Sequence, residues 1–330
     1  LNEPGEENGL CVIRDHLSYP APETIGACIS LQERNITSAA MEARVSDRRG
    51  AASLVSSMVS QWPMPSGFED WLWLSQIAQG ESVSALMAEK LRDSACSGVM
   101  WEPFASCWAI ADGSSIDSLG RWKALHYLAQ TTFAPLLVSG VPHDDGRVDL
   151  FVTNTGLVPW DVKLVWRATS MSGMVLDEGE EQFESIPGCA INAKPLDLSV
   201  MFEQFLREDV VVWLTLLDDE GFTLSRSQVL FAPPKHLALE NPGIALDIDD
   251  TIELEGEEAF KVTLSSISPA FWVWLDIPGE EAQFSDNFVC LEPDEPMDIY
   301  VSTVNRMSQF TFRKKLRIRS LYDIKMNTGH

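Results

Sequence analysis

Trp101, Glu102 and Trp108 are the residues of this 330-residue chain whose types and spacing best fit chemistry. A carboxyl group held between two indoles loses water, and desolvation raises its pKa toward the value a general acid needs. Asp112 is a second carboxylate on the same stretch. The competing role for Glu102 is a structural hydrogen bond. Each indole offers a large flat apolar surface, so Trp101 and Trp108 serve either as walls of a binding site or as core.

Downstream, Asp117, Arg121, Lys123 and His126 share one short stretch, where ion pairing that docks a helix is the expected role. A catalytic base at His126 would need a serine or cysteine elbow, and none accompanies it. The acidic run from Asp247-Ile-Asp-Asp250 to Glu258 carries oxygen ligands of the kind calcium takes. Its spacing fits no EF-hand, so a solvated acidic face is expected. The six cysteines (Cys11, Cys28, Cys96, Cys107, Cys189, Cys290) are scattered with no CxxC pair. Neither a metal site nor a cofactor is therefore expected, and free buried thiols in a reducing compartment are. Asn35-Ile-Thr37 is a formal glycosylation triplet.

A net charge of −25 and a pI near 4.4 argue against nucleic acid and anionic membranes as partners, since both require clustered Lys and Arg. No apolar run reaches the roughly 18 residues of a transmembrane helix, and no signal-peptide pattern opens the chain. The expectation is a cytoplasmic protein. A secreted or lysosomal-type setting stays open because a precursor can lose its signal.

The elements that must position these residues divide by period. With 45% apolar residues the chain can bury real cores in two or three domains. Residues 1–132 read as loops and helices. Ser66-Gly-Phe-Glu69 predicts a capping box, followed by a helix from Trp71 to about Arg92 with Trp71, Leu74, Ala78, Ala85 and Leu86 near helical spacing. Gly80 inside it costs about 1 kcal/mol against alanine. Ser97–Trp101 reads as a short buried strand and Arg121 to about Gln130 as a helix. From about Phe133 the pattern alternates. Val148–Thr153, Val162–Trp166 and Val210–Thr215 are strand-like, and Ala232-Pro-Pro-Lys235 is a natural linker. Phe260–Leu264, Ala270–Leu275, Asp298–Ser302 and Lys315–Arg319 form a second run. Two such runs fit two antiparallel sandwiches. Within the aromatic stripe Phe271-Trp-Val-Trp274, one tryptophan is expected to pack in a core and the other to face a sister domain.

Several blocks stand in a telling order. Ser114-Ser-Ile-Asp117-Ser-Leu-Gly-Arg121-Trp-Lys123-Ala-Leu-His126-Tyr127 follows the tryptophan-rich stretch from Trp101 to Trp108. Tyr19-Pro-Ala-Pro22, Glu33-Arg-Asn-Ile-Thr37 and Met41-Glu42 precede it, as does Trp71-Leu-Trp-Leu-Ser-Gln76. Pro234-Lys-His-Leu237, Phe271-Trp-Val-Trp-Leu-Asp276, Phe284-Ser-Asp-Asn-Phe288 and Leu316-Arg-Ile-Arg-Ser-Leu321 come after it. Together they resemble the C-terminal part of β-mannosidase-type glycoside hydrolases (family 2-like).

The resemblance implies a multidomain fold. Residues 1–132 would be the C-terminal part of a (β/α)₈ barrel, 133–233 a mannosidase immunoglobulin-like β-sandwich, and 234–330 a C-terminal immunoglobulin-like β-sandwich. A full barrel takes about 250 residues, so its remainder would lie on missing polypeptide or a second chain. The implied activity is that of a retaining exo-β-glycosidase acting on terminal β-D-mannose, with a β-mannoside-containing oligosaccharide as partner. Such an enzyme needs two carboxylates about 5–5.5 Å apart.

Two departures bear on that activity. The family places its nucleophilic glutamate five residues before the serine that is Ser18 here, which lands on Ile13. Asp15 is the nearest carboxylate and Glu7 lies farther off; the competing role of Asp15 is a solvated loop residue. The strand-8 loop of the family reads Trp-Gln-x-Asn-Asp-x-Trp-Pro, whereas this chain has Trp101-Glu-Pro-Phe-Ala-Ser-Cys-Trp108-Ala109. Phe104 and Ala105 thus replace polar sugar contacts. Trp101 and Trp108 remain as the implied substrate-binding residues, since barrel enzymes bind at the C-terminal ends of their strands. Glu102 and Asp15 are the only catalytic candidates, and neither is assigned. Besides an enzyme portion, the sequence allows a non-catalytic diverged relative with carbohydrate- or protein-binding sandwiches, or a fragment without function of its own.

Overall fold

The computed structural model describes residues 5–7, 10–13, 38–45, 51–93, 95–96, 98–254 and 257–327. Asp15, Ser18, Cys28, Tyr19–Pro22 and Glu33–Thr37 lie outside these.

Strand β1 (Gly5–Glu7) forms an antiparallel hairpin with β2 (Leu10–Ile13), and β2 runs parallel to β3 (Gly98–Trp101) with Ile13 opposite Trp101. A parallel pair needs a long crossover. This one contains α1 (Ala39–Glu42), α2 (Ala51–Gln61) and α3 (Phe68–Arg92), and α4 (Ala124–Thr132) packs on α3 afterwards. Among the described residues, this segment therefore holds one parallel pair with an antiparallel strand on its edge, not the repeated strand–helix alternation of a barrel.

Helix α3 starts three residues earlier than its apolar spacing suggests, because its first half is buried on nearly every side. Leu72, Trp73, Leu74, Ile77 and Val83 are buried, but so are Ser75, Gln76 and Gln79. The polar residues are buried with partners: Gln76 Oε1 accepts from Ala124 N at 3.3 Å and Gln79 Nε2 donates to Gly113 O at 2.8 Å. The expected stripe holds only in part, since Ala85 is exposed. The capping box is corrected as well. Gly67 is the N-cap and makes no side-chain cap, while Ser66 donates its N–H and hydroxyl to Asp70. Asp70 is buried and also paired with Arg319, whose guanidinium lies 5.4 Å from the Trp73 ring centroid. Burial alone would raise the Asp70 carboxyl, but Ser66 and Arg319 outweigh it and hold it below the usual carboxylate value.

The first sandwich is built from β4 (Leu136–Pro142), β5 (Arg147–Asn154), β6 (Trp160–Ser170), β7 (Val175–Ser185), β8 (Cys189–Asn192), β9 (Leu196–Asp197), β10 (Val210–Leu217) and β11 (Thr223–Leu230). One sheet runs β11-β10-β6-β7; the other runs β4-β5-β8, with β9 also on β5. Their inward valines and leucines, among them Val138, Leu150, Leu164 and Val212, make the core. Strand β7 escapes sequence reading because acidic residues dominate it, five of its eleven. It is an edge strand, where charge blocks pairing with other chains.

The second sandwich contains β12 (Ala245–Leu254), β13 (Glu257–Ser265), β14 (Ala270–Asp276), β15 (Ala282–Phe284), β16 (Val289–Leu291), β17 (Met297–Thr303) and β18 (Arg317–Arg319), with helices α5 (Gln309–Lys315) and α6 (Leu321–Asn327). Its sheets run β12-β13-β17-β15 and β16-β14-β18. Strand β14 departs from simple alternation. Its register shifts between Ala270 and Val273, and Trp272 adopts φ 50°. Both Phe271 and Trp272 therefore enter a third core, shared with Trp62, Trp73, Tyr127, Trp213, Leu237 and Phe288.

Helices α3 and α4 touch through Gly80. A Cβ there would lie 3.2 Å from Leu125 N and 2.6 Å from Leu128 Cδ1. Gly80→Ala is therefore expected to destabilise the protein by about 1–3 kcal/mol despite alanine's better helix propensity. Chemical unfolding that finds the variant more stable would show that the two helices can separate at no cost.

Candidate functional site

The segment after β3 folds back on itself. Ser115 N and Ile116 N both donate to Phe104 O at 3.1 Å, and Ser106 N donates to Ile116 O at 3.0 Å. Arg44 ties the other end, with Nη1 donating to Ala109 O at 2.9 Å and its own carbonyl accepting from Ala111 N at 2.6 Å. Asp117 closes the following turn by accepting from Leu119 N at 2.8 Å and Arg121 N at 3.0 Å. That turn delays α4 to Ala124.

Beneath this loop lies a buried polar cluster. Asp112 accepts from the Ser106 hydroxyl at 2.9 Å and from the Ser114 hydroxyl at 2.6 Å, and Lys123 Nζ stands 3.5 Å from its Oδ1. Lys123 is only 1% exposed. Burial pulls its ammonium down to about 8, against the opposing pull of Asp112 and, at longer range, Asp117. The expected ion pairing thus occurs at Lys123 with Asp112, a partner in the preceding loop.

His126 Nδ1 lies 3.1 Å from Ser115 Oγ, and that hydroxyl also lies 3.1 Å from Phe104 O. A serine has one proton to give. If it goes to the carbonyl, Nδ1–H is the donor and Nε2 carries the lone pair. Burial holds the imidazole below its ordinary value. Its ring centroid is 4.2 Å from Trp122 and 5.8 Å from Phe104.

The structure separates the residues that sequence grouped together. Trp101 is half-buried, stacks on Phe133 at 5.6 Å, and its Nε1 is buried with no acceptor among the described residues. Trp108 is 49% exposed, with the Arg44 guanidinium 5.7 Å from its ring centroid. Glu102 is exposed, so the two indoles do not enclose its carboxyl as the sequence suggests. Asp112 is committed to Ser106, Ser114 and Lys123. Of Ile13 only the strand position is described, beside Trp101. Sequence reasoning missed Arg44, Ser106, Ser114, Gln76 and Gln79. Gln76, Ser106 and Ser114 stood in quoted blocks and Gln79 in the helical stretch, but nothing in their spacing marked them as polar anchors.

Among the described residues no group of three or more His, Cys, Asp or Glu is placed to hold a metal ion, and no helix is long and apolar enough to cross a membrane.

Comparison with known proteins bears on this arrangement. Residues 146–236 match the mannosidase Ig/CBM-like domain family and residues 239–324 an Ig-fold domain family. Beta-mannosidase A of Emericella nidulans is 23% identical over 329 residues, covering 91% of this chain and 34% of the relative. A beta-mannosidase of Capra hircus is 28% identical over 242 residues, covering 67% and 26%. The chain thus spans about a third of the length of the curated relatives it matches. The crystal structure of a beta-D-mannosidase from Dictyoglomus thermophilum superposes with a TM-score of 0.83 at 21% identity, covering 94% of this chain and 37% of that one. An exo-chitosanase of Amycolatopsis orientalis gives 0.73 at 16% identity, covering 92% and 41%. These superpositions show a shared fold, including the two antiparallel immunoglobulin-like sandwiches.

Lys123 gives a pH test of the cluster. Its folded amine releases its proton more readily than an unfolded lysine, so stability should rise as pH climbs from about 8 toward the ordinary lysine range. Relative to Lys123→Met, which lacks that proton, the wild type should gain up to about 3 kcal/mol over this range. Urea unfolding at both ends of the range measures the difference; a constant gap would place the amine in water.

Proposed function

Because the chain resembles the C-terminal part of a β-mannosidase-type glycoside hydrolase, we propose that it is the C-terminal portion of a retaining exo-β-glycosidase. Its action would be hydrolysis of terminal β-D-mannose in glycans, once polypeptide outside this chain completes a (β/α)₈ barrel around β2 and β3. The observation that carries this reading is the parallel register that sets Ile13 beside Trp101. It supports treating β2 and β3 as neighbouring barrel strands whose ends meet at the loop that carries Trp108.

In this reading Trp101 and Trp108 contact the sugar. The buried, unpartnered Trp101 N–H would find its acceptor in a substrate hydroxyl, which offsets the cost of an orphaned donor. Trp108, with Arg44 held against its ring, offers a platform for an apolar sugar face. The two sandwiches buttress the helices behind the loop. Glu102 and Asp15 are the candidate carboxylates of this chain, with the remaining machinery supplied by the completing polypeptide. Cys96, Cys107, Cys189 and Cys290 are free, which supports a reducing, cytoplasmic setting, although Cys107 and Cys189 are exposed and not buried as expected.

A second reading is favoured by Ile13, whose side chain cannot attack an anomeric carbon, and by Phe104 and Ala105 in place of the family's polar pair. It makes the chain a non-catalytic relative with carbohydrate- or protein-binding sandwiches.

The test is hydrolysis of aryl β-D-mannoside by the purified chain, with aryl β-glucoside and β-galactoside as controls. No turnover is expected from the chain alone. Turnover abolished by Glu102→Gln or Asp15→Asn would mean that this chain supplies its own carboxylates. Calorimetric binding of a β-mannooligosaccharide should weaken by about tenfold or more in Trp101→Ala or Trp108→Ala, which corresponds to about 1.4 kcal/mol. Unchanged binding in both variants would remove these residues from the site.

A further inference from the structure

Helices α3 and α4 and the two sandwiches line a half-open pocket of about 520 Å³. Its ionisable lining is Glu81 and Arg92 of α3, Tyr127 of α4, Arg226 of β11, and Asp286, Cys290 and Glu292 on or beside β16. Arg92 is turned to the first sandwich, donating to Ser139 Oγ at 3.1 Å and lying 5.2 Å from the Phe151 ring centroid. Glu292 pairs with Arg167 at 3.0 Å, and Glu295 approaches the same guanidinium at 3.4 Å.

Glu81 and Asp286 are answered differently. The Glu81 carboxylate accepts from Trp272 Nε1 at 2.5 Å, a neutral donor. Asp286 accepts from Asn287 N at 2.7 Å, also neutral. No ion pair to either carboxylate is found among the described residues. Trp272 is itself 1% exposed and is the residue at which β14 leaves its regular path to reach the helices.

We propose that this pocket is a proton-operated latch, in which protonation of Glu81 and Asp286 fastens α3 to the C-terminal sandwich and their ionisation loosens it. Two carboxylates without ion pairs, one from each body, stand half-buried at the junction, and a neutral carboxyl costs far less to bury than an ion. Burial raises Glu81, pushes Asp286 up to about 6 and raises Glu292. Burial also raises Cys290 and Tyr127, leaving both neutral, and pulls the Arg92 guanidinium down. Asp286 thus titrates near 6, and burial shifts Glu81 and Glu292 in the same direction. A carboxyl raised in the folded state contributes stability below its unfolded value, and this is lost as pH rises through about 6.

The experiment is thermal unfolding of the whole chain at about pH 5 and about pH 7.5. The wild type is expected to lose several degrees at the higher pH. Glu81→Gln with Asp286→Asn keeps both acceptor oxygens without the charge, and should lose most of that difference. Asp177→Asn with Glu184→Gln removes the same charge from the exposed edge strand β7 and should keep it. A junction variant with the full wild-type fall, or a control that abolishes it equally, would overturn the latch. Difference infrared spectroscopy of the unmodified protein gives a second reading that does not depend on any variant folding. A protonated-carboxyl band disappearing near pH 6 is expected, and its absence at lower pH also overturns the proposal.

Discussion

The whole architecture turns on one strained residue. A bulky side chain at positive φ is costly, of the order of 1–3 kcal/mol, and persists only where its surroundings over-determine it. Trp272 meets that condition. Its indole packs edge-on against Trp62 at 4.7 Å, donates to Glu81, and adjoins Phe271, which stacks on Trp213 at 5.8 Å. Regular alternation would have sent Phe271 and Trp272 to opposite faces. The shift in β14 sends both into the seam where the helices and the two sandwiches meet. The three parts therefore share a core, and a large apolar junction of this kind suppresses the relative motion otherwise expected between domains.

The same seam reaches the candidate site through touching rings. Tyr127 lies 6.0 Å from Phe288 of the C-terminal sandwich and 5.2 Å from Trp122, which contacts His126. His126 contacts Phe104, and Phe104 lies 6.4 Å from Trp101. Helix α4 thus has one face fixed in the junction and its neighbouring residues fixed under the loop after β3. A sandwich some distance along the chain in this way holds the orientation of Trp101. Lys235 adds a polar tie, since its ammonium caps the end of α2 by donating to Ser60 O at 2.6 Å.

Much of the fold was legible because strands with a dry and a wet face announce themselves. The alternating runs at Val148, Val162, Val210 and Phe260 each lie within an observed strand. What failed to show had a physical reason. Strand β7 carries its signal in hydrogen bonding to β6, and its acidic side chains mask any apolar period. Helix α3 is buried around most of its circumference, so no stripe could give its packing direction. Gly80 looked like a flaw in a helix and is the contact point between two. In the site, Trp101 and Trp108 stood out because indoles are large and chemically distinctive. The Ser106–Asp112–Ser114–Lys123 cluster stayed hidden because its members meet through an irregular loop, where spacing carries no periodic information.

That cluster also fixes the course of the irregular loop after β3. A buried ammonium is expensive, and a hydrophobic residue of similar size would often be as stable. Lys123 nevertheless cannot move without stranding Asp112, and Asp112 cannot move without releasing the hydroxyls of Ser106 and Ser114. Apolar packing alone would permit several loop conformations, whereas a buried donor with a limited set of acceptors permits few. The exposed residues Phe104, Ala105 and Cys107 make side-chain contacts that the cluster does not need. Their side chains stand apart from the hydrogen bonds that hold the loop's backbone course.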